Sequence, residues 1–258
     1  MPSAKDFYKP SLFTPENLLR EARRQKGIRR SIIPSLCVLD PDGDIVSYLQ
    51  RSKQSTLSRG WACYYTKLHE FSIGGIRAGI VGCAVGAPFA VLVAEEMFAS
   101  GCRLLVSVTS AGRIALGQDE PRFLLLSRAL RDEGTSRHYV AHGTWSRLDR
   151  RLFRELAANL AKAPVPMAVG SSWTTDAPFR ETVAAIESAR GRAVDCVEME
   201  AAGLYAFARA RRRSVICLAH VTNSMAQSEG DFEKGVESGS LEALQLIGFV
   251  ARTLKRRQ

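Results

Sequence analysis

Glu198 and Glu200, one residue apart in Glu198-Met199-Glu200, stand where an apolar run, Ala193 to Val197, gives way to a helical pattern from Ala201 to Arg211. Strand ends of open α/β sheets are where ligands bind, so carboxylates there can accept hydrogen bonds from a ligand's hydroxyl groups. The same charges would also complement the positive end of a helix dipole. A second candidate is the turn Gly82-Cys83-Ala84-Val85-Gly86-Ala87-Pro88 between an apolar run and a helical pattern. Its backbone N–H groups can cradle an anion at the helix N-terminus, or merely make a tight connection. Trp173, in Gly170-Ser171-Ser172-Trp173-Thr174-Thr175-Asp176, is read as a loop residue among small polar neighbours, a setting that suits stacking on a flat heterocycle. Asn223, after the apolar run Val215 to Val221, can bond a base edge or form a turn.

The histidines His69, His138, His142 and His220 have no ligand spacing with cysteines or carboxylates, so no metal site is expected, and His220 reads as a strand histidine. Neither GxSxG, a P-loop, HExxH nor GxGxxG with its ribose-binding acid occurs, which excludes the commonest hydrolase, kinase and dehydrogenase chemistries.

Around these residues, strand-like and helix-like segments alternate. The pattern predicts strands over Ile32 to Leu39, Trp61 to Phe71, Ile76 to Val81, Leu104 to Thr109, Arg122 to Leu126, Val165 to Gly170, Ala193 to Val197 and Val215 to Val221. Helices are predicted over Glu16 to Lys26, Pro88 to Ser100, Trp145 to Lys162, Phe179 to Arg190, Ala201 to Arg211 and Leu241 to Lys255. Pro88 inside the first turn and Gly101 just past the end fit the usual asymmetry of helix termini. Asp40-Pro41-Asp42-Gly43-Asp44 reads as a turn, and Gln50 to Gly60 as a mobile active-site flap. Such alternation calls for a parallel or mixed sheet covered on both faces.

With 258 residues and 46% apolar composition, one domain with a large core is expected, residues 31–258, preceded by an N-terminal appendage, residues 1–30. The charge is +10. Basic groups at Arg20, Arg23, Arg24 and Lys26, at Arg29 and Arg30, at Arg150 and Arg151, at Arg211 to Arg213 and at Lys255 to Arg257 are scattered, which argues against a nucleic-acid reader. They are expected mostly at helix ends, complementing the dipole, with a remainder that attracts a phosphorylated or acidic ligand. Six cysteines without a CxxC pair, and apolar stretches too short for a membrane span, predict a soluble cytoplasmic protein with free buried thiols.

Taken in order, these segments resemble the family of trimeric and hexameric nucleoside phosphorylases that includes uridine phosphorylase, the hexameric purine phosphorylases and related nucleosidases, over about residues 33–255. Val197 to Tyr205 looks like the family's ribose-site signature. It is supported by Gly86-Ala87-Pro88, by Ser107 to Gly112, by Arg131 to Tyr139 and by Thr174 to Glu181. The resemblance implies a single-domain three-layer α/β/α fold with a central mixed, partly barrel-like sheet. It implies cleavage of the N-glycosidic bond of a purine or pyrimidine nucleoside by a pentosyltransferase that needs no cofactor, with phosphate as co-substrate. Partners would be a nucleoside, phosphate and further copies of the chain, as a homodimer or hexamer, with no nucleic acid and no membrane.

Carried over residue by residue, the resemblance implies that Glu200, Met199 and Glu198 contact the ribose. A carboxylate suits a vicinal diol. Trp173, Phe179 and Asn223 would contact the base, with Glu200 and Asn223 catalytic. Ser110, Gly86 and Ser107 would form the phosphate or water site. Asn223 stands where purine enzymes of the family place an acid, which disfavours a leaving group that needs a strong acid. The phosphate site departs furthest: where the family has Gly-Asp-Pro-x-Arg the chain reads Leu39-Asp40-Pro41-Asp42-Gly43, and Ser107 replaces a strand-end Arg. The arginine expected from a neighbouring subunit falls near Tyr64. Three readings follow: phosphorolysis with a site rebuilt by Arg51, Arg59 or Arg113; hydrolysis by water; or nucleoside binding without catalysis. Phosphorolysis is the first expectation, because loops can supply arginines that an ungapped alignment misses.

Overall fold

The computed structural model describes residues 7, 9–29, 31–115, 122–224, 229 and 231–255. Arg30, Arg256 and Arg257, counted above among the basic groups, lie outside the described residues. The chain begins with α1 (Pro15–Lys26), β1 (Leu36–Asp40), α2 (Asp44–Arg51), β2 (Ser55–Leu57), β3 (Leu68–Ile73), β4 (Ile76–Gly82) and α3 (Ala87–Ala99). It continues with β5 (Leu104–Arg113), β6 (Phe123–Arg131), β7 (Trp145–Arg147), α4 (Arg150–Ala157) and β8 (Met167–Thr174). The last elements are α5 (Val183–Gly191), β9 (Cys196–Glu198), α6 (Ala201–Arg211), β10 (Ser214–Asn223) and α7 (Ser240–Lys255).

Among the described residues ten strands join one mixed sheet in the order β10-β6-β8-β9-β5-β1-β4-β3-β2, with β7 added on β6. Because β10 also pairs with β5, the strands β5, β10, β6, β8 and β9 close into a ring, and the remaining path leaves it as an open flank. This is the mixed, partly barrel-like sheet expected above. Central strands β1, β5 and β10 run parallel and are apolar on both faces, the pattern of a sheet covered from both sides. Two packed groups of helices flank it, α1 with α3 and α6, and α2 and α4 with α7.

Local chemistry sets the helix boundaries. Thr14 caps α1 by accepting from the Asn17 N–H at 3.2 Å, and Gly27, at φ 64°, ends it in the left-handed conformation. Where the sequence predicts one helix from Trp145 to Lys162, Trp145–Arg147 instead pairs with β6, and Asp149 starts α4 by accepting from the N–H groups of Arg151 and Leu152. Likewise the helix predicted from Phe179 begins only at Val183, capped by Thr182, after a 3-10 turn at Pro178–Arg180. The predicted flap is also corrected: Gln50 and Arg51 end α2, and Ser55–Leu57 forms an edge strand on β3. The first and second predicted strands begin four and seven residues later than expected, at Leu36 and Leu68.

Basic groups do sit in the last turns of α1 and α6, where the dipole favours them. Arg150 and Arg151 do not: they open α4, at its positive end. Five cysteines are buried and Cys83 is exposed, all free. Among the described residues no helix is long and apolar enough to cross a membrane.

Candidate active site

Residues two apart on a strand share a face, so Ser172 and Thr174 of β8 present their hydroxyls together to the end of β9. Both donate to Oε1 of Glu198, Ser172 at 2.8 Å. Its Oε2 accepts the N–H groups of Glu200 at 2.6 Å and Ala201 at 2.7 Å, the otherwise unpartnered donors at the start of α6. Thr174 also accepts the Ala202 N–H at 3.0 Å. Glu198 is 3% exposed. Burial pushes its pKa up, and these four bonds pull the other way. With four donors on its two oxygens, Glu198 fixes the strand-to-helix turn, and a ribose hydroxyl would have to displace one of them.

That turn delivers Glu200, 1% exposed, to the N-cap position of α6. Its Oε1 accepts the Gly86 N–H at 2.7 Å and its Oε2 the Thr109 hydroxyl at 2.8 Å. Gly86 adopts φ 85°, open to glycine at little cost. The Gly-rich turn therefore receives the protein's own Glu200 side chain through the Gly86 N–H. A Cβ on Gly203 would stand 2.8 Å from that of Ala87, so glycine there lets α6 close on the first turn of α3. Burial raises the Glu200 pKa to about 8, the charge of Glu198 adds to the rise, the Gly86 and Thr109 bonds oppose it, and Asp42 adds a smaller push. A proton on Glu200 has an outlet, since the Thr109 hydroxyl can turn to the Ser110 carbonyl at 3.3 Å and accept instead.

Beside this pair lies a different arrangement. Asp40, buried at the end of β1, accepts the Val46 N–H at 2.9 Å, while its carbonyl takes the N–H groups of Gly43 and Cys83. Burial raises its pKa to about 7. The turn so held points Asp42 at the end of β5, where its Oδ2 accepts both the N–H of Ser110, at 3.0 Å, and the Ser110 hydroxyl. Lys234 reaches Asp44 at 2.6 Å and Asp42 at 3.5 Å. Burial works against its ammonium, but Asp44 and Asp42 outweigh it and hold its pKa above the ordinary value. The segment carrying Lys234 is tied down by Glu233 N–H to the Thr222 carbonyl at 2.9 Å and by Arg51 to Glu237 at 2.6 Å. Alongside, His220 of β10 stacks on Phe123 with centroids 4.4 Å apart, and burial, then Lys234, lowers its pKa to about 4.

The structure thus brings together Glu198, Glu200, Gly86 and Ser110. Met199, half-buried, sits between the two glutamates in sequence, and Asn223 pairs with Gly112, two residues beyond Ser110, its amide donating to Thr222 at 3.2 Å. Ser107 is not brought in: it lies three residues inside β5, buried, its hydroxyl without a partner. Trp173 belongs to β8 rather than to a loop. It is 5% exposed, packs with Ile114, Val194 and Val197, and donates to Asp132 at 3.0 Å. Phe179 is 99% exposed, clear of the others within one chain. Arg51, a candidate to rebuild a phosphate site, is engaged by Glu237.

Sequence reasoning missed Ser172, Thr174, Thr109 and Lys234, and saw in Asp42 only a turn. For the three strand residues a signal existed: hydroxyls recurring inside runs otherwise apolar enough to be buried need a buried acceptor. Lys234 left none, since a lone lysine in a polar stretch is indistinguishable from a solvated one.

Residues 46–255 match the family model described as the phosphorylase superfamily. No curated protein is significantly similar in sequence. Among solved structures, the chain is similar to the purine nucleoside phosphorylase of Toxoplasma gondii in complex with immucillin-H, at 14% identity and TM-score 0.71 over 88% of this chain and 94% of that one. The uridine phosphorylase of Vibrio fischeri ES114 gives 18% and 0.69 over 88% and 93%. The 5'-methylthioadenosine/S-adenosyl homocysteine nucleosidase of Campylobacter jejuni gives 16% and 0.68 over 86% and 99%. At these identities the likeness establishes the fold.

Proposed function

The chain belongs to the phosphorylase superfamily, and from that premise we propose that it cleaves the N-glycosidic bond of a nucleoside with water as the acceptor. The observation that carries this reading is the Asp42 carboxylate on the N–H and hydroxyl of Ser110. A phosphate anion would need those donors, and would meet Asp42 there with Asp44 behind it. Lys234, the cation at hand, is already paired with both. A carboxylate so placed repels phosphate and suits a general base that takes a proton from water. Hydrolysis thereby replaces phosphorolysis as the first reading. Both acceptors occur among the names of the similar structures.

In the proposed reaction the bond from the anomeric carbon to the base nitrogen lengthens and positive charge builds on the ribose ring. Glu200 turns from Gly86 and Thr109 to the ribose hydroxyls, and Met199 packs on the sugar. Water attacks the anomeric carbon and gives one proton to Asp42, while the departing base takes a hydrogen bond from Asn223 and a proton from solvent. Positioned groups, with no covalent nucleophile, suffice for such charge stabilisation. Phosphate remains a candidate co-substrate only if Asp42 leaves Ser110. We extend the proposal to a homo-oligomer, in which a second copy covers Phe179; light scattering at micromolar concentration that gave only the monomer mass would contradict it.

Incubation with a panel of purine and pyrimidine nucleosides, with and without phosphate, tests the reaction. Hydrolysis gives free base and free ribose in both conditions. Release only with phosphate, and a sugar product carrying the phosphoryl group, would overturn it. Cleavage of nothing in the panel, with a nucleoside-dependent rise in melting temperature, would point to binding without catalysis.

A further inference from the structure

Away from the glutamates, α4 and α7 pack side by side and leave a groove of about 850 Å³ along their seam. Its α4 wall carries Arg151, Arg154 and Ala158, spaced to share one helix face, and its α7 wall carries Phe249 and Arg252 at the same kind of spacing. Lys162, held by the Asn159 side chain at 3.2 Å, and Pro164 complete one end. Four cations therefore line the groove against one carboxylate, Glu155, and among the described residues none of the four is in an ion pair.

Helix stability accounts for part of this, since Arg154 lies in the last turn of α4 and Arg252 in the last turn of α7, where the dipole favours a cation. Arg151 instead opens α4, where the dipole disfavours positive charge and Asp149 already caps the end. Four like charges gathered around one carboxylate repel one another and destabilise the fold slightly, a cost that a bound anion would remove. Part of the lining is apolar, made of Ala158, Pro164 and the mostly buried Phe249. A volume of this size suits a small molecule. Planar guanidinium groups match phosphate oxygens two at a time, and an apolar lining suits a ring.

From four cations outside any ion pair, gathered along one apolar-lined groove, we propose that the groove between α4 and α7 is a binding site for a nucleoside polyphosphate, distinct from the site around Glu200. The proposal does not depend on which acceptor the glycosidic reaction uses.

Calorimetric titration of the full chain with ATP, with inorganic triphosphate and with a short single-stranded oligonucleotide tests it, at low and high salt. ATP should bind saturably at one site and lose affinity as salt rises. Inorganic triphosphate should bind at least about tenfold more weakly, because it leaves the apolar lining unused. Arg151→Ala and Arg252→Ala should each weaken ATP at least about tenfold, the scale of one lost charge-assisted hydrogen bond, and Glu200→Gln should leave it unchanged. Both arginines are exposed, so an unchanged melting temperature is expected to show that the variants fold. Absence of saturable ATP binding, equal affinity for inorganic triphosphate, or affinity lost in Glu200→Gln but kept in the arginine variants would overturn the proposal. Tighter binding of the oligonucleotide, weakened by the same arginine substitutions, would overturn it in favour of a nucleic-acid surface.

Discussion

The two halves of the candidate active site are both built on carboxylates, and they treat them in opposite ways. Around β9 and α6, Glu198 and Glu200 are buried and bonded only to uncharged donors, four for Glu198 and two for Glu200. Across the end of β5, Asp42 is partly open to solvent and paired with a lysine. Charge without a counter-ion is tolerated in the first half because the N-terminus of α6 and a ring of hydroxyls replace water, and because one of the two groups can hold a proton. In the second half an ion pair does that work, in a place where a cationic anion site was expected. The half that the sequence recognises is thus the one made of uncharged donors, and the half that departs is the one whose sign of charge has reversed.

The sharpest way to break this contrast is to remove the most saturated carboxylate. Glu198→Ala leaves two backbone N–H groups and two hydroxyls buried without their acceptor, each costing about 1–3 kcal/mol, so a loss of at least about 3 kcal/mol is expected in denaturant unfolding. A loss under about 1 kcal/mol would mean that water enters the turn, and that the two halves are not so different.

Asp42→Asn should do the reverse. Stability should change little at this solvent-facing position, while hydrolysis should fall about a hundredfold, the low end of what a general base contributes. Phosphate-dependent cleavage, if it rose in the same variant, would show that Asp42 had been excluding phosphate. Unchanged hydrolysis would remove Asp42 from the reaction. A smaller loss, about tenfold in turnover with the fold intact, is expected for Glu200→Gln when assayed above pH 8, where Glu200 is ionised, the scale of one charge-assisted hydrogen bond to a ribose hydroxyl; unaltered turnover there would place the ribose elsewhere.

How much of this was legible follows the same division. Glu200 was found because its position depends on a boundary that local sequence encodes: an apolar run, then a helix whose limits, Ala201 and Arg211, are read from periodicity alone. The turn at Gly86 was legible too, though not its occupant, since the contact with Glu200 joins residues 114 apart. Tertiary pairing overrode local pattern at Trp145–Arg147, where an amphipathic stretch became a short strand on β6, although Asp149 offered a capping signal that would have split it. Trp173 was misplaced for a related reason, because Ser and Thr around it suggest a loop, whereas they are the buried donors of β8. The reversal at Asp42 was half visible. One missing arginine could be read from Leu39 to Gly43 and another at Ser107, but the lysine that pairs with Asp42 and Asp44 comes from residue 234, beyond any local pattern.

The smallest expected effect concerns the proton on Glu200. Its pKa is about 8 in the folded protein against an ordinary value of 4.5, so between those pH values the folded state holds a proton that the unfolded state has released. Stability therefore falls as pH rises through that window. Asp40 and Glu181, each raised to about 7 by burial, act in the same direction. His220 acts oppositely, since its pKa is lowered from 6.5 to about 4 and stability rises with pH across that interval. Above pH 6.5 the histidine no longer contributes, and the carboxyl groups dominate the slope until buried thiols such as Cys196 and Cys217, raised by burial, add to it in the same direction. Over pH 6.5 to 8, Glu200→Gln should lose less stability than the unaltered chain, by about 1 kcal/mol, while Asp40 and Glu181 act equally in both. Parallel curves for the two proteins would mean that Glu200 is already ionised below pH 6.5, held so by Gly86 and Thr109, and that the buried half of the site carries its charge as openly as the half at Asp42.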